Sequence, residues 1–181
     1  MVLSQDETKL FFGIWLRLLA FINEKYQISS EFGRPKIPAG INPTDILPIR
    51  DKLWEDDSLI DEYIESRWDI PRNETLILKG WKARKHGKYF ILKHLKKYSV
   101  FLDENDNLFG VVGISGPISE MFPAEVLPLM VNAVLLPFAD KIIYDSLLMP
   151  YNVHFGGGIR KELADTYRTV KNERGIQISI P

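Results

Sequence analysis

The apolar spacing of this chain changes character near residue 74, and that change limits the fold more than any other feature. Before it, apolar residues recur every three or four positions. After it, they come in short runs separated by turn residues. The first spacing is that of helices buried along one side, and the second is that of strands. Helix-rich sequence followed by strand-rich sequence argues for an α+β fold, not α/β.

Ser4-Gln5-Asp6-Glu7 has the form of a capping box, so a helix is expected from there to about Tyr26. Leu10, Phe11, Ile14, Leu18 and Phe21 form one stripe of it, and Trp15, Leu19, Ile22 and Tyr26 a second beside the first. An apolar face this wide is buried on two sides, between layers of its own domain or against a second chain. Self-association through helix 1 is the partner that this face suggests.

Residues 29–48 read as an irregular loop, with Pro35, Pro38, Pro43 and Pro48 among Gly33 and Gly40. Thr44 or Asp45 can start a short helix with Ile46, Ile49 and Leu53 inward. Ser58 to Trp68 reads as another, with Leu59, Tyr63 and Ile64 inward.

The second half reads as hairpins. Residues 75–78 and 89–92 are apolar runs joined by Arg84-Lys85-His86-Gly87. Residues 98–102 and 108–112 flank Asp103-Glu104-Asn105-Asp106-Asn107, and 131–136 and 141–148 flank Pro137-Phe138-Ala139-Asp140. About six strands in consecutive hairpins imply an antiparallel sheet, strongly curved or barrel-like. A C-terminal helix from about Ile159 to Arg174, stopped by Gly175, closes it. The expectation is one domain over 1–181: a helical part, 1–70, carrying the loop 29–48, and then a sheet with its closing helix, 74–181.

Composition removes several functions. The 181 residues include no cysteine, which excludes disulfides, thiolate nucleophiles and cysteine-based metal centres. The start of the chain is acidic, unlike a secretory leader. The apolar run Leu10 to Ile22 contains Arg17 and is too short for a membrane span, which needs about 20 residues. The expected setting is cytoplasmic, with no membrane partner.

Charge is balanced in total, with 23 Lys+Arg against 24 Asp+Glu, but not along the chain. An acid-rich segment, Asp51 to Asp69, precedes a segment from Lys79 to Lys97 with eight basic residues and no acid. Lys79, Lys82, Arg84, Lys85 and Lys88, with Trp81 among them, combine phosphate-neutralising charge with a ring able to stack on an unpaired base. The simpler alternative is a solvated hairpin whose charge the preceding acids partly meet.

The most pointed local feature is His154-Phe155-Gly156-Gly157-Gly158-Ile159-Arg160-Lys161. Glycines let backbone amides approach a ligand, and a helix start attracts anions. His154, Gly156, Gly157, Gly158, Arg160 and Lys161 are therefore the candidate anion site, although the spacing is neither GxxxxGK[ST] nor GxGxxG. The simpler alternative is a flexible connection in which glycine supplies positive φ.

Catalytic candidates are weaker. Gly113-Ile114-Ser115-Gly116 resembles a nucleophile elbow only superficially, and a strand-ending turn explains it. His86 and His94 lack a second ligand at metal spacing and read as satisfied or solvent-exposed side chains. Asp145 lies mid-strand beside Tyr144 and could act as a base, but facing solvent is the preferred reading. No catalytic residue, metal or cofactor is assigned, and whether the protein is an enzyme stays open.

Three functions are weighed. The first is a non-catalytic binding or interaction protein. The second is single-stranded nucleic-acid binding through 79–97. The third is an enzyme acting on a phosphorylated or carboxylated small molecule at 154–161.

Overall fold

The computed structural model describes residues 1–30, 32 and 43–181, Pro43 by its backbone alone. Most of the expected loop 29–48, including Gly33, Pro35, Pro38 and Gly40, lies outside the described residues. The chain divides into two compact units, residues 6–82 and residues 1–5 with 83–181. The boundary between the helical and the sheet-bearing unit falls at 82–83.

The helical unit holds α1 (Gln5–Tyr26), α2 (Pro43–Glu55), α3 (Ser58–Glu65) and α4 (Arg72–Gly80). Both stripes of α1 are used inside it. Phe11, Ile14, Trp15, Leu18, Leu19 and Ile22 are all buried. Trp15 stacks on Trp54 at 5.9 Å and meets Trp81 edge-on at 5.8 Å. Most of the α1 face that suggested self-association is therefore buried within this chain, with Tyr26 at its end 40% exposed. Ion pairs Arg17–Glu74 and Lys25–Glu62 tie α1 to α4 and α3.

Two sequence readings are corrected in this unit. The loop read as far as residue 48 ends earlier, because Pro43 opens α2 and Pro48 lies inside it. Ile46, Ile49 and Leu53 still face inward, as their spacing predicts. Residues 75–78, read as a strand, belong to α4. A four-residue apolar run fits either element, and burial decides. Leu78 and Trp81, three apart, are fully buried, whereas Leu76 is 63% exposed. Helical spacing of one buried stripe explains that contrast, and a strand buried on both faces does not.

The second unit is a five-stranded mixed sheet with a C-terminal helix. Its strands are β1 (Lys85–His94), β2 (Ser99–Asp103), β3 (Leu108–Val111), β4 (Leu129–Phe138) and β5 (Lys141–Pro150). A short helix, α5 (Ile118–Met121), lies between β3 and β4, and α6 (Gly157–Glu173) follows β5. The expected hairpins β2–β3 and β4–β5 are present. The sixth strand is absent because residues 75–78 are helical. The sheet is also not purely antiparallel, since β3 and β5 pair in parallel through Val111 and Ile142. β1 pairs with both β2 and β4, so the order β1-β2-β3-β5-β4 returns on itself.

The parallel seam is short, and other backbone completes it. The amide of Val112 donates to the carbonyl of Ile142 at 2.8 Å. Gly110 donates to the carbonyl of Gln177, and Gln177 in turn donates to that of Leu108, each at 2.8 Å. Leu3 donates to Gly113 at 3.0 Å, which places residues 1–3 with the sheet. Each such bond removes an unpaired polar group that would otherwise remain at an edge.

Alternation along the strands builds two apolar faces. Tyr89, Phe101 and Phe109 pack together, with Tyr89 6.0 Å from each of the other two rings. The opposite side chains, Val100, Leu102 and Leu108, pack under Leu163, Tyr167 and Val170 of α6. Strands buried on both faces read as continuous apolar runs, which is the pattern of β2 and β3. Among the described residues, no helix is long and apolar enough to cross a membrane.

Candidate anion-binding site

The start of α6 is held by one side chain. Arg160 donates from Nε to the carbonyl of Phe155 at 2.9 Å and from Nη1 to the carbonyl of Leu127 at 2.8 Å. Phe155 in turn packs edge-on against Phe90 of β1, with centroids 5.4 Å apart. The guanidinium thus clamps the loop after β5 and the segment before β4 onto the same end of the sheet. A guanidinium has five N–H donors, and these bonds use two.

Beside this clamp, between α6 and β1, lies a hollow of about 290 Å³. Its cations are Lys93, Arg160 and Arg168, and no carboxylate lines it among the described residues. Its floor is apolar: Leu92, Pro128, Leu163 and the ring of Tyr167, with the methyl of Ala164 at the wall. The ammonium of Lys93 sits 4.1 Å from the centroid of the Tyr167 ring, a cation–π contact. Arg168 pairs with Asp165 across one helical turn, at 2.7 Å on the open surface. A pair exposed on both sides is worth little and yields readily to another anion.

The glycine-rich candidate site is only partly gathered here. Arg160 lines this hollow. Lys161, one residue on and about 100° around the helix, lines a different one with Asp106, Glu162, Asp165 and Glu173. Gly158 also lines that acid-rich hollow, and His154 is exposed and lines neither. The glycines do not serve positive φ, since Gly156 has φ −69°. A Cβ at 156, 157 or 158 would meet nothing within 4 Å, so no tight approach requires glycine there.

The basic segment is divided between the units. Lys79, Trp81 and Lys82 belong to the helical one, where Trp81 is fully buried against Phe11 and Trp15. A ring in that position has no face for a base. Lys82 pairs with Asp61, one of the acids upstream. Arg84, Lys85 and Lys88 lie at the start of the sheet unit. With His86 they line a hollow that also contains Asp103 and Glu104.

The remaining candidates have structural explanations. His94 accepts or donates at both ring nitrogens, 2.7 Å from Ser99 Oγ and 2.8 Å from the carbonyl of Phe122. A carbonyl only accepts, so Nε2 carries the proton in the neutral ring. At Gly113 a Cβ would lie 2.1 Å from the carbonyl oxygen of Gly116, so the turn around Ser115 requires glycine at its start. Asp145 is a correction: it is fully buried, not solvent-facing. Between the pairs Ala133–Leu148 and Leu135–Tyr144 the register shifts, and Ser146 takes φ 73°. Such a bulge breaks the alternation on which the solvent-facing reading relied. Among the described residues, no group of three or more metal-binding side chains forms.

The chain matches no family model, no curated protein and no solved structure.

Sequence reasoning missed Lys93, Arg168 and the apolar floor as parts of one place. One signal was available. Arg160, Ala164 and Arg168 stand at i, i+4 and i+8, which aligns two cations along one side of a helix with a small residue between them.

Proposed function

We propose that this is a non-catalytic binding protein, built on a small closed barrel, that takes an anionic ligand in the hollow between α6 and β1. The observation that carries this reading is the lining: three cations over an apolar floor, with no acid among the described residues that line it. Apart from the phenol of Tyr167, the lining offers no hydroxyl, imidazole or carboxylate to act as nucleophile or base. That favours binding over the enzymatic alternative at 154–161. The backbone bonds of Arg160 support the reading further, since a positioned guanidinium loses less freedom when it meets an anion.

Thermal unfolding at constant ionic strength tests it. Inorganic phosphate and phenyl phosphate are compared with chloride, in the parent and in a Lys93→Gln, Arg168→Gln double variant. At least one phosphate should raise the midpoint of the parent above its value in chloride, and raise that of the variant less. Equal responses in parent and variant would leave only general salt effects and remove the reading.

Single-stranded nucleic-acid binding is the second reading. Arg84, Lys85, His86 and Lys88 gather at one hollow of the sheet unit, and small five-stranded barrels bind oligonucleotides on strands and loops. That parallel is one of fold alone. Asp103 and Glu104 beside those cations weaken it, as does the cover of α6 over Val100, Leu102 and Leu108. Fluorescence anisotropy with a labelled single strand at low and moderate salt decides: phosphate contacts require affinity to fall steeply with salt.

A further inference from the structure

Resting on the anion reading above, we infer that the ligand of the α6–β1 hollow is amphiphilic: an organic anion whose charged head meets Arg160, Lys93 and Arg168 while an apolar body lies on Leu163 and Tyr167. Two features of the hollow lead there, its floor and its width.

Apart from the phenol of Tyr167, the floor is made of side chains with nothing to offer a hydrated ion. Leu163 and Tyr167 are largely buried, 9% and 8% exposed, and a bare phosphate held by the cations would leave uncovered only the edges they still show to water. A ligand with an apolar body removes that surface from water as well, and apolar area buried on binding adds affinity. The volume of about 290 Å³ lies at the small end of ligand sites, which begin near 300 Å³. It suits a body the size of one ring or a short chain.

The width is set by Ala164. It stands one helical turn after Arg160 and one before Arg168, and lines the hollow with them. A long side chain at this position would take up part of the hollow that Ala164 lines with Arg160 and Arg168. The methyl of Ala164 leaves that space open, which makes position 164 the determinant of what body fits. Lys93 completes the rim from β1, held above the Tyr167 ring.

Isothermal calorimetry with phenyl phosphate, inorganic phosphate and phenol separates the contributions, in the parent and in Ala164→Leu. Leucine is a strong helix former, and the variant's unfolding midpoint without ligand checks that it folds. Phenyl phosphate should bind the parent about tenfold more tightly than inorganic phosphate, and phenol should not bind measurably. In Ala164→Leu the preference for phenyl phosphate should shrink to about threefold or less, with inorganic phosphate little changed. Equal affinity of the two phosphates in the parent would overturn the amphiphilic ligand and leave the anion site standing. An undiminished preference in Ala164→Leu would overturn the placement of the body. Binding of neither phosphate would remove the anion reading itself.

Discussion

Arg160 Nη1 donates to the carbonyl of Leu127 at 2.8 Å, across 33 positions of sequence. With the bond from Nε to Phe155, it joins the start of α6 to the segment entering β4. Lysine at this position keeps the charge but has no fork with which to reach both carbonyls. Arg160→Lys should therefore lower stability by about 1 kcal/mol, read from the urea midpoint. An unchanged midpoint would mean that solvent replaces both bonds without cost.

The aromatic cluster of the helical unit should dominate its stability. Trp15 and Leu18 are fully buried, and Trp15 touches Phe11, Trp54 and Trp81. Trp15→Ala should cost about 3–5 kcal/mol and Leu18→Ala about 2–5 kcal/mol. Chemical denaturation followed by tryptophan fluorescence reports this unit directly, because Trp54, Trp68 and Trp81 remain in it. Midpoints matching the parent would show that the core closes over the lost volume.

Gly110 marks a second tight place. A Cβ there would lie 2.8 Å from Cγ of Tyr98, whose ring lies over the strand. Gly110→Ala should cost about 1–3 kcal/mol in the parent through overpacking. In a Tyr98→Ala background the obstruction is gone, and the same change should be neutral or stabilising, since glycine is a poor strand residue. A double-mutant cycle measures that coupling, and additive costs would show that the ring moves aside freely.

Alkaline pH should destabilise the sheet unit through its buried phenols. Burial pushes the Tyr144 phenol up to about 12 from an ordinary 10.0, the charge of Asp145 adds to the rise, and a backbone hydrogen bond from Ile114 opposes it. Burial likewise pushes up Tyr89. Between pH 10 and pH 12 the unfolded chain has released the proton and the folded chain has not. The contribution of Tyr144 is thus whole below pH 10 and falls as pH rises, by about 3 kcal/mol at most. Urea midpoints at pH 9 and pH 11 should separate more in the parent than in Tyr144→Phe. Equal separations would place the alkaline loss elsewhere.

Much of the architecture was legible in the sequence, for reasons that are local. The two stripes of α1, the turn residues Asp103–Asn107 and Pro137–Asp140, and Gly175 after α6 each act through near neighbours in the chain. Gly175 has φ 77°, a conformation that glycine alone adopts freely, so its stop signal holds wherever the helix packs. The helix-then-sheet order and the two clear hairpins follow from such signals.

What tertiary structure alone decided is whatever depended on the opposite face of an element. Residues 75–78 have the composition of a strand, but burial of Leu78 and Trp81 in one core holds them helical. Asp145 follows the alternation of a solvent-facing residue until a bulge shifts the register between β4 and β5. Arg160 and Lys161 are adjacent in sequence yet line different hollows, because a helix turns about 100° per residue. Lys93 comes to the same hollow as Arg160 and Arg168 from β1 only because that strand passes under α6. The sequence determined most segments as helix or hairpin, residues 75–78 excepted, since propensity and turn chemistry act over a few residues. It could not determine which side chains meet, since that depends on the packing of elements far apart in the chain.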